Sequence, residues 1–191
     1  MSRTRLAHGA TAIRPTEVAD VHELAALRRA NREHTARWEP LRDETFYTPA
    51  GQQVELELDV QAWRSGAAYP FAVLDTTARD RLIGRVALSN VVRGAWQNAN
   101  LGYWIDAASC GRGHATTAVG LILQFAFEQA RLHRVQPAVI PRNIASICVV
   151  QKAGFRLEGR AERYLQIGGV WEDHDIFAVT AEEWRAKRPT M

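Results

Sequence analysis

Two glycines flanking an arginine, in Cys110-Gly111-Arg112-Gly113-His114-Ala115-Thr116, bring together residue types that can hold an anion. Gly111 and Gly113 admit backbone angles other residues avoid and let a ligand approach the main chain closely. An amphipathic pattern follows. A helix beginning at Gly113 leaves its first N–H groups unpaired, where a phosphate can accept them. Arg112 adds a forked cation. Cys110 stands near a helix N-terminus, where thiol pKa values fall, so a reactive sulfur is one reading, although a passive side chain is the favoured one. The same glycines could merely turn the chain between a strand and a helix, so the surrounding elements must decide. Further on, Asn143 stands at a helix-cap position three residues ahead of Ser146.

The elements around the loop read as a mixed α+β order. A strand at 10–14 is closed by Pro15, with Thr16 as the cap of a helical pattern that runs to Trp38-Glu39-Pro40. Residues 49–64 suit a second helix ended by Gly66, although part of the stretch alternates like a strand. A hairpin follows, 69–74 with 82–88, turning at Ala78-Arg79-Asp80. A third strand, 99–106, delivers the glycine loop, and the helix after it carries Ala115, Ala118, Ile122, Phe125 and Ala126 on its core side. The strand at 134–140 contains Pro137, which cannot donate a ladder hydrogen bond, so the sheet is expected to open there. A short helix over 144–152 stops at Gly154. A hairpin turning at Gly168-Gly169 and a closing turn at 181–184 complete the order.

At 191 residues, 47% hydrophobic and 24% charged, the chain fits one domain, 1–191, with a single core. A net charge of +3 with scattered arginines gives little support for nucleic-acid binding. Cys110 and Cys148 have no CxxC partners, and the six histidines lie far apart, so neither a disulfide framework nor a metal site is expected. Residues 1–10 lack the apolar core of a signal peptide and no stretch reaches the ~20 apolar residues of a membrane helix. A cytoplasmic protein without membrane contact is the expectation, with oligomeric state left open.

Taken together, these residues resemble the GNAT superfamily of acyl-CoA-dependent N-acyltransferases, in particular its ribosomal-protein-alanine N-acetyltransferase branch. The resemblance rests on Leu101-Gly102-Tyr103-Trp104-Ile105, Gly111-Arg112-Gly113, Pro141-Arg142-Asn143-Ile144-Ala145-Ser146 and Gly154-Phe155-Arg156-Leu157-Glu158-Gly159. Trp38-Glu39-Pro40 and Gly169-Val170-Trp171-Glu172-Asp173-His174 extend it. It implies an α+β domain with a mixed, mainly antiparallel sheet splayed between its two middle strands and flanked by helices. It also implies acetyl-CoA as cosubstrate. The pyrophosphate loop falls on Cys110, Gly111, Arg112, Gly113, His114, Ala115 and Thr116, with Cys110 departing from the family's Arg or Gln. The backbone of Tyr103, Trp104 and Ile105 would hold the pantetheine arm as an added strand does. Asn143 would contact that arm and Ser146 would protonate the leaving thiolate.

The implied reaction is direct attack of an amine on the thioester, with both substrates held in one site. Glu39 is the candidate general base, an ordered water being the other. Asp173, His174 and Asp175 are left as structural or acceptor-side residues, since strand alternation sends neighbours to opposite faces. A protein N-terminus leads as acceptor, a small amine such as a polyamine, amino acid or antibiotic is the alternative, and a non-catalytic acyl-CoA-binding domain is a third possibility.

Overall fold

The computed structural model describes residues 4–187; residues 1–3 and 188–191, the ends of the expected domain and of the stretch read for a leader, lie outside the described residues. The chain begins with β1 (Leu6–His8) and β2 (Thr11–Pro15), then α1 (Val21–Ala30), α2 (Arg32–Ala36) and α3 (Pro49–Ser65). A meander follows of β3 (Tyr69–Asp75), β4 (Arg81–Val92) and β5 (Asn98–Ile105). After α4 (His114–Gln124) come β6 (Arg134–Gln136), β7 (Ala138–Val139), α5 (Ile144–Lys152), β8 (Arg156–Ile167), β9 (Val170–Thr180) and α6 (Ala181–Ala186). The sheet order is β1-β2-β3-β4-β5-β6-β9-β7, with β8 also on β9. All pairings are antiparallel except β5 with β6.

The opening at Pro137 is a matter of hydrogen-bonding groups. β5 and β6 pair only over Asn98–Asn100 and Arg134–Gln136. Pro137 has no N–H to continue the ladder. Beyond it, β7 turns to β9, pairing Ala138 with Ile176 and Val139 with Asp175. Residues 101–105 of β5 therefore pair with β4 alone, and the sheet splays beside them.

Side-chain alternation along β5 divides the core in two. Ala99, Leu101, Tyr103 and Ile105 pack into the larger cluster with Val119 and Ile122 of α4. Trp104 packs on the other face with Leu24 and Leu27 of α1 and Leu56 of α3. Gly84 of β4 fixes how near the two strands lie, because a Cβ there would sit 2.2 Å from the Trp104 carbonyl oxygen.

Three boundaries differ from the sequence expectation. The first helix does not start at Thr16, whose hydroxyl instead donates to Asp59 Oδ2 at 3.1 Å. Asp20 accepts the Glu17 N–H at 2.9 Å, and a 3-10 turn, Val18–Asp20, leads into α1. The helix then breaks at buried Asn31, whose side chain donates to the Leu27 carbonyl and to Asp106 Oδ1 and accepts the Ala107 N–H at 2.8 Å. That long-range tie fastens the α1–α2 corner to the end of β5. The strand expected over 134–140 is two strands, β6 and β7. The three-residue β1, with no apolar alternation to announce it, forms by pairing Leu6–His8 with Thr11–Ile13. α3, where the pattern was ambiguous, is a helix throughout, capped by Thr48 and ended at Gly66 with φ +71°.

Candidate active site

The glycine loop follows the end of β5 and opens α4. Gly111 and Gly113 hold φ of +76° and +85°, and a Cβ built on either meets no atom within 4 Å. Open space stands where side chains would otherwise be, the condition a phosphate needs to reach the main chain. The first bond of α4 runs from the Thr117 N–H to the Gly113 carbonyl, 3.0 Å, so the N–H groups of His114, Ala115 and Thr116 have no acceptor within the helix. A cleft of about 440 Å³ lies against Cys110, Gly111, Gly113, His114, Ala115 and Thr116, and runs to Asn143 and Ser146. The residues present suit a pyrophosphate-bearing ligand.

Arg112 departs from expectation. It does not line this cleft, and its guanidinium turns to Asp75, 3.4 Å away. The His114 ring is also turned inward: it is buried, with Nδ1 2.8 Å from the Thr11 hydroxyl and Nε2 3.8 Å from Asp75 Oδ2. Burial lowers its pKa against the raising effect of Asp75. Both side chains brace the loop on β2 and β3. Cys110 follows the favoured, passive reading: burial and then Asp106 push its thiol pKa up, and it lies ahead of the helix start.

Across the splay, Tyr103 of β5 reaches α5. Its hydroxyl is 2.7 Å from Ser146 Oγ and donates to the Ser146 carbonyl at 3.2 Å. Burial raises the Tyr103 pKa to about 12, so the phenol is neutral. Asn143 is the cap of α5, its Oδ1 accepting the Ser146 N–H at 3.1 Å, which orients the first turn that carries the serine.

A second cavity, about 320 Å³, opens on the other side of these residues. Arg28 of α1 is 7% exposed, lies 4.0 Å over the Trp104 ring, and donates to both Glu39 oxygens at 2.8 and 3.1 Å. Burial pulls the Arg28 pKa down, with Glu39 opposing. Arg85 stands across from Trp104 in the β4–β5 register and is ion-paired with Asp59 of α3. Burial raises the Asp59 pKa, and Arg85 counters it. His174 of β9 completes the wall. The Trp38–Glu39 loop is tied down from outside by the Gly168 N–H on the Glu39 carbonyl, 3.1 Å, and by Arg142 between Trp38 and Glu172.

The two cavities share Trp38, Glu39, Tyr103, Trp104, Asn143 and Ser146. Sequence reasoning had singled out all six. It missed His34 and Lys152 on the first cavity and Arg28 and Arg85 on the second. Arg28 and Arg85 sit inside regular helix and strand patterns, with nothing local to mark them.

A sheet splayed beside a glycine loop, with a strand edge and a hydroxyl-bearing helix facing each other over the gap, defines an acyl-group transferase site. Residues 11–156 match the acetyltransferase (GNAT) domain family. The chain belongs to that family, and it is an N-acetyltransferase. It is 39% identical over 167 residues to a probable N-acetyltransferase, YjcK, of Bacillus subtilis, covering 87% of this chain and 92% of that one. The crystal structure of the ribosomal-protein-S5-alanine acetyltransferase of Vibrio fischeri superposes with a TM-score of 0.88 at 32% identity, covering 97% of this chain and all of that one. RimJ of Mycobacterium smegmatis, solved in complex with CoA-disulfide, gives 0.86 at 31% identity, over 91% and 83% of the two chains.

Proposed function

We propose that this chain transfers an acetyl group from acetyl-CoA to the α-amino group of a protein N-terminus, with a ribosomal protein as the acceptor class. The observation that carries the reading is the set of six residues shared by the two cavities: a donor in one and an amine in the other meet at Tyr103 and Ser146 without passing through a covalent enzyme intermediate. The names of the relatives support the acceptor class.

The backbone of 110–116 holds the pyrophosphate, and the free edge of 103–105 holds the pantetheine arm, with a main-chain N–H facing the thioester oxygen. Bound acetyl-CoA supplies the acetyl group already activated as a thioester. Asn143 sets the first turn of α5 in front of the arm. Ser146 Oγ, held in place by the neutral Tyr103 hydroxyl at 2.7 Å, delivers a proton to sulfur and regains one as the acylated nitrogen sheds its second. Glu39, its oxygens engaged by Arg28, orients the incoming amine rather than deprotonating it.

Glu39, the one carboxylate among the residues lining the acceptor wall, is engaged by Arg28, which leaves no free acid there for the further ammonium groups of a polyamine and suits an acceptor whose one amine is followed by peptide carbonyls. The test is an acetyl-CoA turnover screen over peptides with varied N-termini, lysine peptides and small amines, read by mass spectrometry of the products. N-terminally acetylated peptide is the expected product. Acetylation of small amines alone would overturn the reading.

A further inference from the structure

His174 is the buried member of the run Asp173-His174-Asp175, whose two acids are half-exposed, and strand alternation alone leaves its surroundings open. On β9 it is 3% exposed, yet it borders the acceptor cavity together with Arg28, Glu39, Arg85, Tyr103 and Ser146. Its Nδ1 lies 2.9 Å from the Glu172 carbonyl oxygen. A carbonyl can only accept, so Nδ1 carries the proton and Nε2 presents its lone pair. Among the described residues Nε2 has no partner. The Tyr164 ring of β8 packs at 5.7 Å and fixes the imidazole plane. A histidine that borders a cavity, with its tautomer set by a carbonyl on one nitrogen and the other nitrogen left unpaired, has the arrangement of a general base.

We infer that His174 Nε2 is the base that takes the proton from the acceptor ammonium. The inference rests on the proposed amine transfer. An α-amino group, with an ordinary pKa of about 7.7–8.0, is mostly protonated at neutral pH, and a lysine more so. Nε2 accepts one proton from R–NH3+, leaving R–NH2 and an imidazolium. The nitrogen lone pair forms the C–N bond as the C–S bond breaks, its electron pair leaving on sulfur. The second proton lost from nitrogen balances the one delivered to sulfur, and His174 releases its own to solvent. The charged and titratable groups around it are Arg28 of α1, Glu39 of its loop, Arg85 of β4, Tyr164 and Arg160 of β8, and on β9 itself Glu172, paired with Arg142, Asp173, and Asp175, paired with Arg160.

The test compares His174→Asn with the wild type on a panel of peptide N-termini and small amines. Asn keeps an N–H for the Glu172 carbonyl and removes the base. Acetyl-CoA binding by calorimetry should stay within twofold, while kcat at pH 7 falls about 10²-fold or more. The deficit should shrink as the pH rises above the acceptor's own pKa, and added imidazole should restore turnover to His174→Ala. A kcat within threefold of wild type would overturn the inference, as would a loss unmoved by pH and imidazole. Transfer by the wild type to small amines alone would sink the N-terminal reading while leaving His174 open to test on those amines. Transfer to no amine at all would overturn both.

Discussion

The proposed donor side of the cleft takes most of its walls from two contiguous stretches, around 103–116 and 143–152, with 34–39 closing it, whereas the proposed acceptor side gathers Arg28 from α1, Glu39 from a loop, Arg85 from β4 and His174 from β9. On the donor side main-chain groups do the work, and glycine positions and a cap residue specify it. On the acceptor side long side chains meet across the sheet and are held by one another: Arg28 by Glu39 and Trp104, Arg85 by Asp59. The first kind of site is robust to side-chain change and sensitive to backbone change. The second is the reverse.

That contrast is broken most severely at Gly113. Valine there must adopt φ near +85°, a conformation costing a β-branched residue roughly 1–3 kcal/mol. Acetyl-CoA affinity should fall tenfold to about 100-fold by calorimetry. Undiminished binding would remove the loop from the pyrophosphate site. Ser146→Ala comes next: kcat should drop by about 10²-fold with little change in the acetyl-CoA KM. Tyr103→Phe should lose less, and the double variant should be no worse than Ser146→Ala, because the hydroxyls act through one bond. Multiplicative losses would mean that they act independently.

On the acceptor side, Arg28→Met should raise the acceptor KM severalfold and leave acetyl-CoA binding unchanged. Removing one partner of a fully buried pair costs about 3–5 kcal/mol. Glu39 is 21% exposed and can regain water, so a loss nearer 1–2 kcal/mol is expected in urea denaturation. A rise in the acetyl-CoA Kd instead would blur the division between the halves.

The smallest effect lies outside both. Arg134, followed by Arg156, holds the Glu158 carboxyl down at about 2. A depressed carboxylate stabilises the fold above its unfolded pKa, about 4.3, and that contribution is lost as pH falls through the folded value. Between about pH 4 and pH 2 the wild type should lose more stability than Glu158→Gln, with turnover at pH 7 alike in the two. Parallel acid unfolding curves would show that the pair adds nothing.

The same division governs what could be read before folding. The loop at 110–116, the Asn143 cap and the break at Pro137 are local backbone chemistry and stand in the sequence as spaced residues. The end of α1 does not, because Asn31 is recruited by Asp106 and Ala107, some 75 positions away. Arg112 reads as a phosphate ligand until Asp75 claims it. For Cys110 the sequence leaves an activated thiol open beside the favoured passive one, and burial with Asp106 decides for the passive. His174 is visible as a histidine among acids, but the face it takes depends on how β9 pairs with β7 and β8.

The central claim is that donor and acceptor meet directly at the residues common to both cavities. A conjugate of CoA joined through an acetyl bridge to a peptide N-terminus measures it. Inhibition by the conjugate should be competitive against both acetyl-CoA and the peptide acceptor, with a Kd well below that of either CoA or the peptide. Competition with acetyl-CoA alone, at an affinity no better than that of CoA, would contradict it.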